Sequence, residues 1–288
     1  METLKHLVCL FFLALLLLAP VPCRAVQEPL PVPPGHTPAW LPVERGLELA
    51  LLSCGRQQDG ASVQNFLIRV LRIDTTLYDF VLCSARWESG RVLSIREWAA
   101  AKQLSAAVNA SMYQADGLTS TGYMRSGEQT NNSRVVRRYG SFFVAGPRSP
   151  GLPRAAVLDR ERDDWERLLP QYDIVVQNFR LMGSDGKQLW PENGPRHAVA
   201  AVAEDLNGRI LFLHCENAVS VHDFVEALKS HSELNLNSAM YAEGGSEASL
   251  LLRRDEGVFV WTGLSPANYF SGTGDGPPLP SVLGAVPR

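Results

Sequence analysis

From residue 46 onward the chain alternates apolar and polar positions. Leu47-Glu-Leu-Ala-Leu-Leu52, the run from Asn65 to Ile73, and Tyr78-Asp-Phe-Val-Leu-Cys83 predict consecutive strands of a sheet with one buried face. A capping box at Ser94-Ile-Arg-Glu97, followed by Trp98-Ala-Ala-Ala-Lys-Gln-Leu104, predicts a helix over 94–104. A short strand follows at 106–110, ending at Asn109, and yields to a polar loop over 111–127. Mixed acidic and basic positions predict a second helix over 160–169.

Strands are expected at 173–176 and 198–203. The pair Asn207-Gly208 joins the second of these to Arg209-Ile-Leu-Phe-Leu-His214 as a hairpin. Ser220-Val-His-Asp223 then caps a helix running through Lys229, and a strand after it delivers Glu243. This order places Glu216 and Glu243 at the ends of neighbouring elements, on one rim of a sheet. The pattern reads as one α+β domain over 46–288 with an ample core.

The N-terminus differs. A basic start with Lys5, an apolar run from Leu7 to Ala19 and the small residues of Cys23-Arg-Ala25 read as a signal peptide over 1–25. A Pro-rich linker is expected over 26–45. No second apolar run is long enough to span a bilayer, so a periplasmic or secreted protein is expected. The net charge of -3 gives no global field for nucleic acid, and the basic cluster from Arg134 to Arg138 reads as a solvated face. Cys54, Cys83 and Cys215 remain beyond the signal. One disulfide plus one thiol or three core positions both fit, with Cys215 a core residue within its alternating run.

The chemistry concentrates in Ser238-Ala-Met-Tyr-Ala-Glu-Gly-Gly-Ser-Glu-Ala-Ser249. An apolar run ends there in a carboxylate, two glycines and a hydroxyl. A carboxylate on a strand end is held on a rigid element, and the glycines let backbone N–H groups approach an anion or a sugar. The same residues also fit an ordinary tight turn with a solvated Glu.

Four segments in one order resemble the phosphodiester glycosidase family. They are Val108-Asn-Ala-Ser-Met-Tyr-Gln-Ala-Asp-Gly117 with Gly122-Tyr-Met124, Pro195-Arg-His-Ala-Val199, Gly208-Arg-Ile-Leu-Phe-Leu-His-Cys-Glu216, and Tyr241-Ala-Glu-Gly-Gly-Ser246. No single motif is specific, but the ordered set is, and the resemblance runs from about residue 46 to 284. It implies an α+β fold with a mixed, mainly antiparallel sheet and hydrolysis of a sugar phosphodiester. The sugar would be like N-acetylglucosamine, carried in a glycan or envelope polymer, and the chain would belong to a divergent exported bacterial branch.

By that resemblance Glu243, Glu216 and Arg196 are the catalytic candidates. Arg196 would anchor the phosphate through its planar guanidinium. Glu243 would be nucleophile or base, with Glu216 second. Asn109, Tyr113, Asp116, Gly122, Gln177, His197, Gly244, Gly245 and Ser246 are the substrate-binding candidates. Glu216 also reads as a loop acid near the helix start, Arg196 as a surface charge, and Asn109 and Tyr113 as a turn residue and a core aromatic. No cofactor is expected. Glu216, Glu243 and Asn109 are oxygen donors that would suit a calcium-like cation, but no loop has calcium-ligand spacing.

Four departures weigh on activity. Both acids are Glu where the family has Asp, Asn109 is followed by Ala-Ser where the family has Gly-Gly, Asn217 replaces a Gly, and Glu247 stands where a small residue is common. Two other readings therefore stand beside the glycosidase: a non-catalytic carbohydrate-binding or envelope-assembly protein that keeps the pocket, and a plain phosphodiesterase.

Overall fold

The computed structural model describes residues 28–57, 63–182, 186–263 and 275–288. The signal peptide expected over 1–25 lies outside the described residues. The described chain begins with β1 (Leu41–Glu44), β2 (Leu47–Gln57), β3 (Val63–Ile73), β4 (Tyr78–Ser84) and β5 (Leu93–Ser94). Helix α1 (Ile95–Lys102) leads to β6 (Ala106–Asn109), β7 (Met124–Ser126), β8 (Gln129–Asn132), β9 (Ser141–Pro147) and β10 (Ala155–Asp159). A single helical turn, α2 (Trp165–Leu168), precedes β11 (Tyr172–Asn178), β12 (Arg196–Asp205) and β13 (Ile210–Ser220). Helix α3 (Val221–Ser230) is followed by β14 (Leu236–Gly244), β15 (Ser249–Arg254), β16 (Gly257–Thr262), β17 (Pro278–Leu279) and β18 (Ser281–Pro287).

The strands form three large sheets and a two-stranded ribbon of β5 and β17. The large sheets have the orders β1-β2-β3-β13-β12-β14, β10-β9-β11-β7-β8 and β16-β15-β6-β18-β4. Every ladder among the described residues is antiparallel, and the parallel contact is an isolated bridge from Val32 to Leu52. The α+β expectation holds.

Alternation along each strand gives every sheet one face toward a shared centre. There Leu49, Leu71, Phe212 and Val202 of the first sheet meet Phe143, Val157 and Val176 of the second. Phe80, Val108 and Leu250 of the third complete the cluster. The outer faces are covered separately. Helix α3 packs Phe224, Val225 and Leu228 on the first sheet, α1 packs Trp98 and Ala99 on the third, and Trp165 of α2 lies over the second.

Local signals explain several of these elements. Both halves of the capping box form at α1, where the Ser94 hydroxyl accepts from the Glu97 N–H and the Glu97 carboxylate accepts from the Ser94 N–H. Ser220 caps α3 by accepting from the Asp223 N–H at 3.0 Å. The β12–β13 hairpin turns at Gly208, whose φ of 74° lies in the left-handed region.

Two expectations change. The stretch read as linker contains β1, which pairs with β2. The helix expected over 160–169 shrinks to the single turn α2. Its first half is taken up by carboxylate turns, in which the Asp159 N–H donates to Asp163 and the Glu161 N–H donates to Asp159. Asp side chains that bond nearby N–H groups compete with the helix ladder. Of the two readings of the cysteines the core one is found: Cys54, Cys83 and Cys215 are all buried thiols, and burial pushes each up to about 12.

Candidate active site

Glu243 lies near the end of β14, opposite Ala200 of β12, while Tyr241 lies opposite Ala201. Ala242 is the extra residue. A bulge of this kind re-aims the side chain beyond it. Ala200 belongs to the central cluster and Ala201 to the cluster beneath α3, so Glu243 faces the centre and Tyr241 faces α3. Asn178, fully buried on β11, donates from its amide to the Ala242 carbonyl at 3.1 Å and so satisfies a group that the bulge takes out of the ladder.

Register extends the row across the sheet. Glu243 pairs with Ala200, Ala200 with His214, and His214 with Arg69 of β3, so all four side chains share the inner face. Arg69 is buried. It donates to Glu28 at 2.6 Å, stands 3.3 Å from Glu216, and lies over the Trp261 ring. Glu216 lies within β13, two strands from Glu243 with β12 between them rather than at the end of a neighbouring element, and its carboxylate stands against a guanidinium. Burial holds His214 neutral, down to about 3, and its Nε2–H donates to the Ala248 carbonyl at 3.1 Å.

Glu243 itself is 9% exposed, and burial raises its carboxyl to about 7, with the charge of Glu247 adding to the rise and the Gly244 N–H opposing it. The Gly244 N–H donates to Glu243 Oε1 at 2.9 Å. Tyr113 is raised by burial and then by the charges of Glu247 and Glu243, which places its hydroxyl in the field of both acids. Glu247 accepts from the Ser246 hydroxyl at 2.9 Å. Glu243, Glu247, Tyr113 and Ser246 therefore gather at one turn.

The glycines of that turn are required sterically. A Cβ on Gly244 would stand 2.0 Å from the Tyr241 hydroxyl and 2.6 Å from His197 Nδ1, and Gly245 has a φ of 78°. His197 packs edge-on to Tyr241 and donates from Nδ1 to its neighbour's carbonyl, that of Ala198. His197, Tyr241 and Met112 line an aromatic cleft of about 320 Å³, together with Phe179 and Trp190. Gly244 of the acid turn packs against two of the cleft residues, Tyr241 and His197.

Other expected site residues do different work. Asn109 holds the turn by its backbone, donating to the Glu247 carbonyl at 2.9 Å and accepting from the Ser249 N–H at 2.7 Å. Arg196 lies against Asp223 of α3 at 3.0 Å, on the opposite face of the sheet from Glu243. Asp116 is exposed and organises its own loop, accepting from the N–H groups of Leu118 and Thr119 and from the Thr119 hydroxyl; these bonds pull it down to about 2. Gln177 is fully buried and clamps the backbone of Tyr123, Val136 and Tyr139. Gly122 packs where a Cβ would meet the Gln177 carbonyl at 2.4 Å.

The reading of the sequence missed Glu247 and Asn178. Glu247 was visible as an unusual acid in the turn. Asn178 carried no local signal. Among the described residues no three His, Cys, Asp or Glu side chains stand close enough to hold a metal ion.

A family model described as phosphodiester glycosidase matches residues 102–286. The fold is similar to that of the catalytic domain of zebrafish N-acetylglucosamine-1-phosphodiester alpha-N-acetylglucosaminidase, auto-inhibited by its pro-peptide. The TM-score is 0.58 at 12% identity, over 86% of this chain and 85% of that one. It is also similar to a hypothetical protein from Synechocystis, with a TM-score of 0.52 at 12% identity over 85% of this chain and 62% of that one. At such identities the likeness concerns the fold. No curated protein matches the chain.

Proposed function

The chain belongs to the phosphodiester glycosidase family, and from that premise we propose that it is an exported hydrolase that cleaves a sugar from a phosphodiester. The observation that carries this reading is Glu243, a strand-end carboxyl buried beside Glu247 and raised to about 7. A group with that pKa is well matched to move a proton near neutral pH. Glu243 takes a proton from a water as that water attacks the anomeric carbon. The bond from that carbon to the phosphate oxygen breaks, its electron pair leaves with the phosphate, and Glu243 returns its proton to solvent. A phosphate is a good leaving group, so one carboxylate suffices where most glycosidases need two. The negative charge of Glu247 stabilises the positive charge that develops on the sugar.

The substrate reading is a sugar like N-acetylglucosamine, seated on the aromatic faces of the cleft. Export rests on the signal-like N-terminus of the sequence, and no helix among the described residues is long and apolar enough to cross a membrane. A calcium-like cation is not needed for this chemistry.

The test is sugar release from an alpha-linked N-acetylglucosamine phosphodiester and from UDP-N-acetylglucosamine, with Glu243→Gln as control. Release by the parent protein and at least a ~100-fold loss in the variant support the reading. Labelled water entering the phosphate instead of the sugar would make the protein a plain phosphodiesterase. A specific observation favours a second reading, a glycan-binding protein without turnover: Arg196, the expected phosphate anchor, is engaged by Asp223. Ligand affinity unchanged in Glu243→Gln, with no release by either form, would establish it.

A further inference from the structure

Beyond the aromatic cleft lies a second cavity of about 570 Å³, whose lining includes Arg137, Arg138, Arg160, Arg180, Phe179 and Trp190. It shares Phe179 and Trp190 with the cleft, so the two adjoin at these rings. Ring contacts give the order Tyr241 and His197, next to Gly244 of the acid turn, then Trp190 and Phe179, then the arginines.

The arginines are not equivalent. Arg180 is matched by Asp159 at 2.7 Å and Glu161 at 2.8 Å, and its buried Nε lacks a hydrogen-bond partner. Arg160 donates to the carbonyls of Val136, Arg137 and Tyr139 and lies 4.6 Å over the Trp165 ring. Arg137 and Arg138 have no acidic partner among the described residues, and the Arg138 guanidinium lies 5.5 Å over the Phe179 ring. The backbone that carries these two is held firmly. Buried Gln177 clamps it from inside at Val136 and Tyr139, and Arg160 clamps it from the other side. Two guanidiniums without an acidic partner among the described residues, on a fixed backbone and beside aromatic faces, are a preorganised site for a planar or tetrahedral oxyanion next to a sugar ring.

We propose that this basin binds a sulfate or phosphate ester carried by a sugar of the same glycan, beyond the sugar seated in the aromatic cleft. The cluster read in the sequence as a solvated face becomes a distal subsite that selects anionic oligosaccharides. Two cavities on either side of a shared aromatic wall fit a chain of sugars better than they fit one small phosphodiester. The proposal rests on the reading of the Glu243 turn as the reacting end.

The test is calorimetric titration of the Glu243→Gln protein, so that turnover does not interfere. The probes are a heparin-derived hexasaccharide, a phosphorylated mannohexaose, neutral mannohexaose, a short oligothymidine and phosphatidylserine vesicles. At least one charged oligosaccharide should bind about tenfold or more tightly than the neutral one, and the stronger of the two identifies the ester. Arg137→Ala/Arg138→Ala should remove that advantage with an unchanged unfolding transition, and each single substitution should remove part of it. Equal binding of the neutral probe, equal binding by the double variant, or equally tight binding of oligothymidine or vesicles would overturn the proposal. Absence of sugar release by the parent protein would overturn the reading of the acid turn while leaving this titration intact.

Discussion

Tyr241 and Glu243 stand two residues apart on β14 yet face opposite sides of the sheet, because Ala242 bulges out of the pairing with β12. Without the bulge, Glu243 would join Tyr241 beneath α3. The bulge turns an ordinary strand end into a buried acid facing the shared core, and the Ala242 carbonyl is held by Asn178.

Replacing Asn178 tests that dependence. Asn178→Ala leaves the Ala242 carbonyl without its buried donor, which costs about 1–3 kcal/mol of stability. It also loosens the carboxylate, so sugar release should fall about 100-fold in kcat, as expected for a misplacement on the order of 1 Å, with KM moving less. Urea unfolding and steady-state kinetics check both. A loss of stability with kcat unchanged would separate the bulge from catalysis.

Glu243 carries a pH signature of its own. Its folded value of about 7 lies above the unfolded value of 4.5, so its contribution to stability is full below about 4.5 and is lost as pH rises through 7. Above pH 8 the buried charge costs about 3 kcal/mol by this linkage. Glu243→Gln should therefore unfold at higher denaturant than the parent protein at pH 8 and near parity at pH 4. In the parent protein, sugar release should rise with pH through about 7 as the base form appears.

His214, two strands away in the same row, works in the opposite sense. Its folded value of about 3 lies below the unfolded 6.5, so its contribution is present above 6.5 and is lost as pH falls toward 3. Between 6.5 and 4.5 the two groups oppose each other, which should flatten the parent protein's stability profile there. His214→Gln, which cannot titrate, should make stability rise more steeply on acidification through this window. Chemical unfolding across pH 4.5–7 reads the difference.

Gly244 has no room for a side chain. Gly244→Ala would drive a methyl to 2.0 Å from the Tyr241 hydroxyl and 2.6 Å from His197, costing about 1–3 kcal/mol as overpacking. Combining it with Tyr241→Phe should recover part of that cost, because the nearest atom is gone. A double-mutant cycle by urea unfolding would show the coupling, and strict additivity would argue that the turn yields elsewhere.

The sequence by itself determined what depends on short range. Ser94 with Glu97, Ser220 before α3 and Asn207-Gly208 between β12 and β13 each encode a cap or a turn within four residues, and each forms as expected. The ordered motifs likewise placed Glu243 at a strand end. Only the tertiary structure decided which way those side chains face and what they meet. The Ala242 bulge and the bond from Asn178 join segments far apart in the chain. So do the engagement of Arg196 by Asp223 and the use of Asn109 to tie down the turn's backbone. Side-chain direction in a sheet reverses with a one-residue change of register, and burial sets whether a carboxyl or an imidazole holds its proton. Neither quantity is a property of the residue or its neighbours in sequence; both arise only when three sheets close on one core.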